Sequence, residues 1–263
     1  MSTATVTGAP AHRVTPARVL RSEWHKLWTL RSTSINLAVT SALTLAMGVG
    51  LGAAYDGTGE GGLDTVVFVL LGTQFATINL AVLGILATAG EYSTGQIRAT
   101  MTAVPRRLPV LWSKAAVLAA VTFPLCLWTN LLTFPLAQSF LDGTDQSAAL
   151  GDPGVLRALA GNAAGLTLLT VTALGIGALT RSVPVASGVY IGLVMILPEV
   201  LAILQYDAVD DAVRLFPSRA LEALTTAQPM PGSPSPGTAL LALTLWAAAS
   251  LAAAATALRR RDV

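Results

Sequence analysis

The sequence predicts an all-α polytopic membrane protein. It has six transmembrane helices, an N-terminal helix lying in the membrane interface and a short amphipathic helix in the loop after span two. Three observations carry this prediction. Of 263 residues, 53% are hydrophobic and 11% charged, with mean hydropathy +0.65; soluble domains carry roughly 25% charged residues. Several apolar runs reach the roughly 20 residues that a helix needs to cross a bilayer. Basic residues also fall almost entirely on one side once those runs are threaded through a membrane.

Residues 1–15 are small, polar and without pattern, which predicts a disordered tail; 16–263 form one transmembrane domain. No apolar core follows the tail at signal-peptide distance. Thr15-Pro16 has the form of a helix start, with Pro at the first position. Leu20, Trp24, Leu27 and Trp28 then share one face, while Arg18, Arg21, His25 and Lys26 fall largely on the other. That is the pattern of an interfacial helix, with Trp at headgroup depth and cations toward anionic lipid.

Span one is expected at 35–54, with Gly48 and Gly52 as a small-xxx-small pair for close helix approach. The following loop carries Asp56, Glu60 and Asp64 and no base. Span two is expected at 65–89, with the amides Gln74 and Asn79 in its run. Span three, 108–137, contains Pro124 and Pro135, which predict a kink or tilt, and Asn130. Span four is 156–180 with Gly161 and Gly165; span five is 185–204 with Gly188, Gly192 and Glu199. Residues 228–237 are rich in Pro, Gly and Ser and read as a loop. Span six is 238–258, stopped by Arg259–Arg261. With both termini in the cytoplasm, thirteen of the sixteen Lys and Arg lie inside, leaving Arg157, Arg214 and Arg219 outside.

The most patterned polar stretch is 90–107, GEYSTGQIRATMTAVPRR. Ser93 and Gln96 have capping-box spacing. Ile97, Met101 and Val104 recur on one helix face, and Pro105 ends the segment. This predicts a short amphipathic helix tied to two spans. From the pattern alone, its apolar face either docks a partner or lies on the lipid headgroups.

The same stretch resembles the loop after the second transmembrane helix in ABC-2-type transporter permeases, with a pattern like GEYxxGxIRxTLxAVPRR. The matching residues are Gly90, Glu91, Tyr92, Gly95, Ile97, Arg98, Thr100, Ala103, Val104, Pro105, Arg106 and Arg107, with Met101 where Leu is usual. Leu215–Ala220 is similar to a second family run between spans five and six. The resemblance implies that 93–104 is a cytoplasmic coupling helix, seated in a cleft of a separate ABC ATPase subunit. It implies an elbow-like interfacial helix at the N-terminus and short helices at 210–226 that dip into the outer membrane face. It further implies a second permease copy or paralogue, a bacterial cytoplasmic membrane, and export of a substrate that the motif does not identify. ATP and Mg would sit on the ATPase chain, with no cofactor, metal or nucleic acid on this one.

The chain's own residues agree with a non-catalytic role. Its lysines, Lys26 and Lys114, do not follow the glycines of a phosphate-binding loop. One Cys (Cys126) and two His (His12 and His25) give no zinc set, and neither His lies in a span where it could serve a nucleophile. Two functional readings remain: a transport subunit, or a non-transporting membrane scaffold or immunity protein of the same fold.

Several polar residues carry alternatives of their own. Glu91 is either a latch to a basic partner, Arg98 or the Arg21–Arg31 helix, or a carboxylate in interfacial water. Glu199, about 22 Å along span five at 1.5 Å per residue, is a functional group by default or faces water where the span breaks at Pro198. Gln74, Asn79 and Asn130 line a pathway or bond between helices. The glycine pairs pack within the bundle, or one of them forms a dimer seam.

Overall fold

A computed structural model describes residues 15–57, 63–96, 107–203, 206–228 and 232–260. The described residues are helical, with no strand. Helix α1 is Pro16–Thr29 and α2 Arg31–Ala54; α3 (Thr65–Val69), α4 (Thr73–Leu86) and α5 (Ala89–Ser93) follow. The long helices are α6 (Arg107–Leu141), α7 (Val155–Thr180) and α12 (Pro236–Arg260). Between α7 and α12 come α8 (Val183–Ile191), a π-helical turn (Gly192–Ile196), α9 (Leu197–Ala202), α10 (Asp207–Val213) and α11 (Pro217–Thr225).

Five segments are long and apolar enough to cross a membrane: α2, α6, α7, α8 through α9, and α12. They mark a multi-pass membrane protein. The expected second span, 65–89, is not one helix but α3, α4 and α5 in series. No proline breaks it. The Asp64 carboxylate caps α3 by accepting from the Val66 and Val67 N–H groups, the Thr73 hydroxyl donates to the Leu70 carbonyl, and Thr88 leaves helical geometry at φ −122°, ψ −65°. Local hydroxyl and carboxylate bonds thus compete with the helical ladder at both joints.

Helix α7 is the hub. Of its most apolar stretch 78% is buried, against 28% for α2 and 22% for α8–α9. Hydropathy does not single it out, since the five spans are similarly apolar; in lipid, close packing of small residues gathers neighbours around a helix, and the outer helices keep apolar faces for lipid. Glycines set the closest approaches. A Cβ on Gly84 would lie 2.3 Å from the Thr170 carbonyl oxygen of α7, and one on Gly177 would lie 2.5 Å from the Thr88 hydroxyl. Gly48 and Gly52 meet Thr133 and Ala137 of α6, and Gly161 and Gly165 meet Leu224 and Leu221 of α11. Gly188 and Gly192 meet nothing within 4 Å, so packing within this bundle does not account for that pair.

Span three is a single helix. Helix α6 runs unbroken through Pro124 and Pro135 for 35 residues. At 1.5 Å per residue that is about 52 Å, well beyond a bilayer core of about 30 Å. In span five the break falls at the π turn. Pro198 lacks an N–H, and its ring would crowd the Val194 carbonyl; a widened turn relieves that conflict.

Of the expected tail, residues 1–14 lie outside the described residues. Helix α1 keeps Leu20, Trp24 and Trp28 exposed, with Trp24 and Trp28 stacked edge to face at 6.0 Å, while Val19 and Glu23 are buried. The expected short helices at 210–226 correspond to α10 and α11. Helix α11 buries Ala220, Leu221, Ala223 and Leu224 against α7 and α12.

Candidate functional site

Four charged side chains meet where α1, α5 and the second turn of α6 converge. Lys114 Nζ lies 2.8 Å from Glu23 Oε2 and 2.7 Å from Glu91 Oε1. Lys26 Nζ hydrogen-bonds Glu91 Oε1 and lies 3.7 Å from Glu23 Oε1. Two cations and two anions thus alternate around a closed ring. The side chains of Glu23, Glu91 and Lys114 are 7–8% exposed; that of Lys26 is 29% exposed. Burying any one of these charges alone would be costly, and the alternation makes it tolerable.

The local sequence explains the convergence. Glu23 and Lys26 are i, i+3 neighbours on the α1 face that also buries Val19. Glu91 falls in the first turn of α5, where the helix dipole favours a carboxylate. Lys114 shares one face of α6 with Val110, Leu111 and Val117, so its ammonium is carried into the core. For Lys26, burial disfavours the ammonium. The hydrogen bond to Glu91 and the charges of Glu23 and Glu91 outweigh it, leaving the pKa raised above 10.5.

A cavity of about 210 Å³ opens beside this ring, between α1, α2, α4, α5 and α6. Its apolar wall includes Leu27, Leu30, Leu83, Leu86, Val117 and Leu118, and all four charged residues contribute to its polar end.

The predicted site residues divide accordingly. Glu91 is in the ring; its partner from the first helix is Lys26, turned inward rather than toward lipid headgroups. Ser93 ends α5 and donates to the Gly90 carbonyl at 2.9 Å; the helix that its S-x-x-Q spacing predicts lies outside the described residues. Gly95, at φ +73°, turns the backbone, and Gln96 lines the cavity. Ile97, Arg98, Met101 and Val104 lie outside the described residues. Arg181, at φ +57°, lays its guanidinium 5.2 Å from the Tyr92 ring centre and so braces the start of α8 against α5.

The in-span polar residues lie elsewhere. Asn79 donates to the Asn36 carbonyl at 2.8 Å and the Thr40 hydroxyl at 2.7 Å, tying α4 to α2. Asn130 donates to the Leu159 carbonyl and to Asn162 Oδ1, both at 3.0 Å. Asn162 passes the chain on to the hydroxyls of Thr225 at 3.0 Å and Thr73 at 3.4 Å. This neutral network joins α6, α7, α11 and α4. Gln74 is exposed. Glu199 is 62% exposed and pairs with Arg219 of α11 at 2.9 Å.

Glu23, Lys114 and Asn162 are missing from the sequence-based candidates. Asn162 could have been found, being an amide in an apolar run like Asn79 and Asn130. Glu23 and Lys114 carry no comparable local signal. Compared with models of known protein families, the chain matches none, and no curated protein matches it.

Proposed function

We propose that the chain is the membrane-spanning permease subunit of an ABC exporter, with α3–α5 completing a sixth crossing and both termini in the cytoplasm. The observation that carries this reading is the ring at Glu91. Glu91 belongs to the GEYSTG stretch, two residues before the 93–104 segment that resembles a coupling helix. It is ionically bonded to α1 through Lys26 and to α6 through Lys114. A push on 93–104 by a docked ATPase would therefore reach three elements together, since a buried ion pair resists separation. The loop would move as one body with the interfacial helix and the base of α6, tilting the helices around α7. ATP and Mg act on the partner chain, and a second permease copy supplies the other half of the pathway.

The test has two parts. The tagged chain, drawn from its native membranes in mild detergent, should bring down an ATPase at about one copy per permease; Ile97→Asp and Met101→Asp should lose both that partner and transport. Glu91→Gln should keep the ATPase and lose transport, because docking survives while transmission fails. No ATPase recovered with the folded chain would move the reading to a non-transporting scaffold.

A further inference from the structure

We propose that the cavity beside the charged ring is a binding site for an anionic single-chain amphiphile. Its head would sit on the Lys26 ammonium and the first turn of α2, with its chain against Leu27, Leu30 and Leu86. This inference stands apart from the transport reading and is tested on the full chain alone.

The cavity's two ends differ chemically. At one end an entering group meets charge, and the accessible charge is positive. Glu23, Glu91 and Lys114 are nearly closed off, Glu91 Oε2 being buried without a hydrogen-bond partner, while Lys26 is the most exposed member of the ring. Its three donors serve one short bond to Glu91 and one 3.7 Å contact to Glu23, so capacity remains for a further acceptor. Helix α2 adds a second attraction. It begins beside the cavity with no side-chain cap, and Ser32 and Thr33 of its first turn line the wall. The Thr33 N–H already donates to the Leu30 carbonyl at 3.1 Å, and the helix dipole favours an anion at this end.

The other end is apolar, and its rim residues Leu30 and Leu86 are 44% and 36% exposed on the outer surface of the bundle. Thr94 and Gln96, also in the cavity lining, are polar and exposed. A cavity whose exposed lining is part apolar and part polar suits a molecule whose chain comes from the lipid and whose head stays near water. Size narrows the choice. At about 210 Å³ the cavity is smaller than the ~300–1,000 Å³ of pockets that enclose a drug-sized molecule, which fits a head and a short length of one chain. A carboxylate and a phosphate monoester share the required chemistry.

The full-length chain in phosphatidylcholine nanodiscs is photolabelled with a diazirine-bearing dodecanoate, and the labelled peptides are mapped. Label is expected at the α1–α2 junction and the last turn of α4. Dodecanoate and dodecyl phosphate should compete for it, and dodecylammonium should not; the stronger anion identifies the source as a free carboxylate or a phosphate monoester. Leu86→Trp, which narrows the mouth and leaves the ring intact, should remove the label while thermal unfolding stays near wild type. Lys26→Gln should weaken labelling by about tenfold or more, the scale of one lost charge-assisted hydrogen bond, and Lys26→Arg should retain it. Equal competition by dodecylammonium, label mapping elsewhere, or a Leu86→Trp chain labelled like wild type would overturn the proposal.

Discussion

Two buried polar clusters hold this bundle, and they use opposite chemistry. The ring of Glu23, Lys26, Glu91 and Lys114 joins α1, α5 and α6 through full charges. The network of Thr73, Asn130, Asn162 and Thr225 joins α4, α6, α7 and α11 through neutral amides and hydroxyls. The ring sits where α1 meets α5 and the start of α6, and one of its members is partly exposed. The network sits among long apolar helices, and its Asn130 and Asn162 are buried. Charges hold strongly only while every partner is present; neutral amides hold weakly but fail gently. The first arrangement suits a joint that must move as a unit, the second a frame that must stay assembled.

The sharpest way to break this contrast is Glu91→Ala. It leaves Lys114 and Lys26 facing Glu23 alone. Breaking a buried ion pair from one side typically costs about 3–5 kcal/mol, and the loss should appear as a large drop in the thermal unfolding midpoint in nanodiscs. Adding Lys114→Met should restore much of it, because the stranded charge is then gone. If the double variant were no more stable than Glu91→Ala, the ring would not be the source of the loss.

A smaller effect comes from pH. The Lys26 pKa is raised in the folded chain above 10.5. Its contribution is therefore whole below the unfolded value and is lost as pH rises through the folded one. The unfolding midpoint of wild type minus that of Lys26→Met should be constant below about pH 10 and shrink above it, since an unperturbed Lys titrates near 10.4. The effect is smaller than for Glu91 because the Lys26 side chain is 29% exposed and water screens it. A difference that stayed flat through the alkaline range would remove Lys26 from the ring's energetics.

How far these clusters could be read beforehand follows from the range of the signals. The long helices came from hydropathy, which is local, and their boundaries shifted by only a few residues. Glu91 was legible as a carboxylate at the start of a basic loop, and Asn79 and Asn130 as amides in apolar runs. Lys114 read as an orientation charge and Lys26 as a cation on the polar face of the first helix, while Glu23 carried no reading. Only folding reveals that Glu23 meets a residue 91 positions away. Span two misled for a related reason. Its composition is that of one helix, while its breaks fall at Leu70–Thr73, where the Thr73 hydroxyl donates to the Leu70 carbonyl, and at Thr88, whose hydroxyl donates to the Leu174 carbonyl of α7 at 3.0 Å.

The smallest predicted effect is Asn162→Ala, and it tests the neutral half of the comparison. The change removes one acceptor and one donor group. Asn130 keeps its bond to the Leu159 carbonyl, and the Thr225 hydroxyl still donates to the Leu221 carbonyl. No buried charge is stranded, and the hydroxyl and amide partners retain most of their bonding. Interhelical hydrogen bonds in membrane proteins average about 0.6 and reach about 1.7 kcal/mol. A cost in that range, unchanged between neutral and alkaline pH, is expected from the unfolding midpoint. A loss as large as that of Glu91→Ala would mean that the amide network, not the charged ring, is the brittle joint, and that transmission should be sought through α7 instead of through α1.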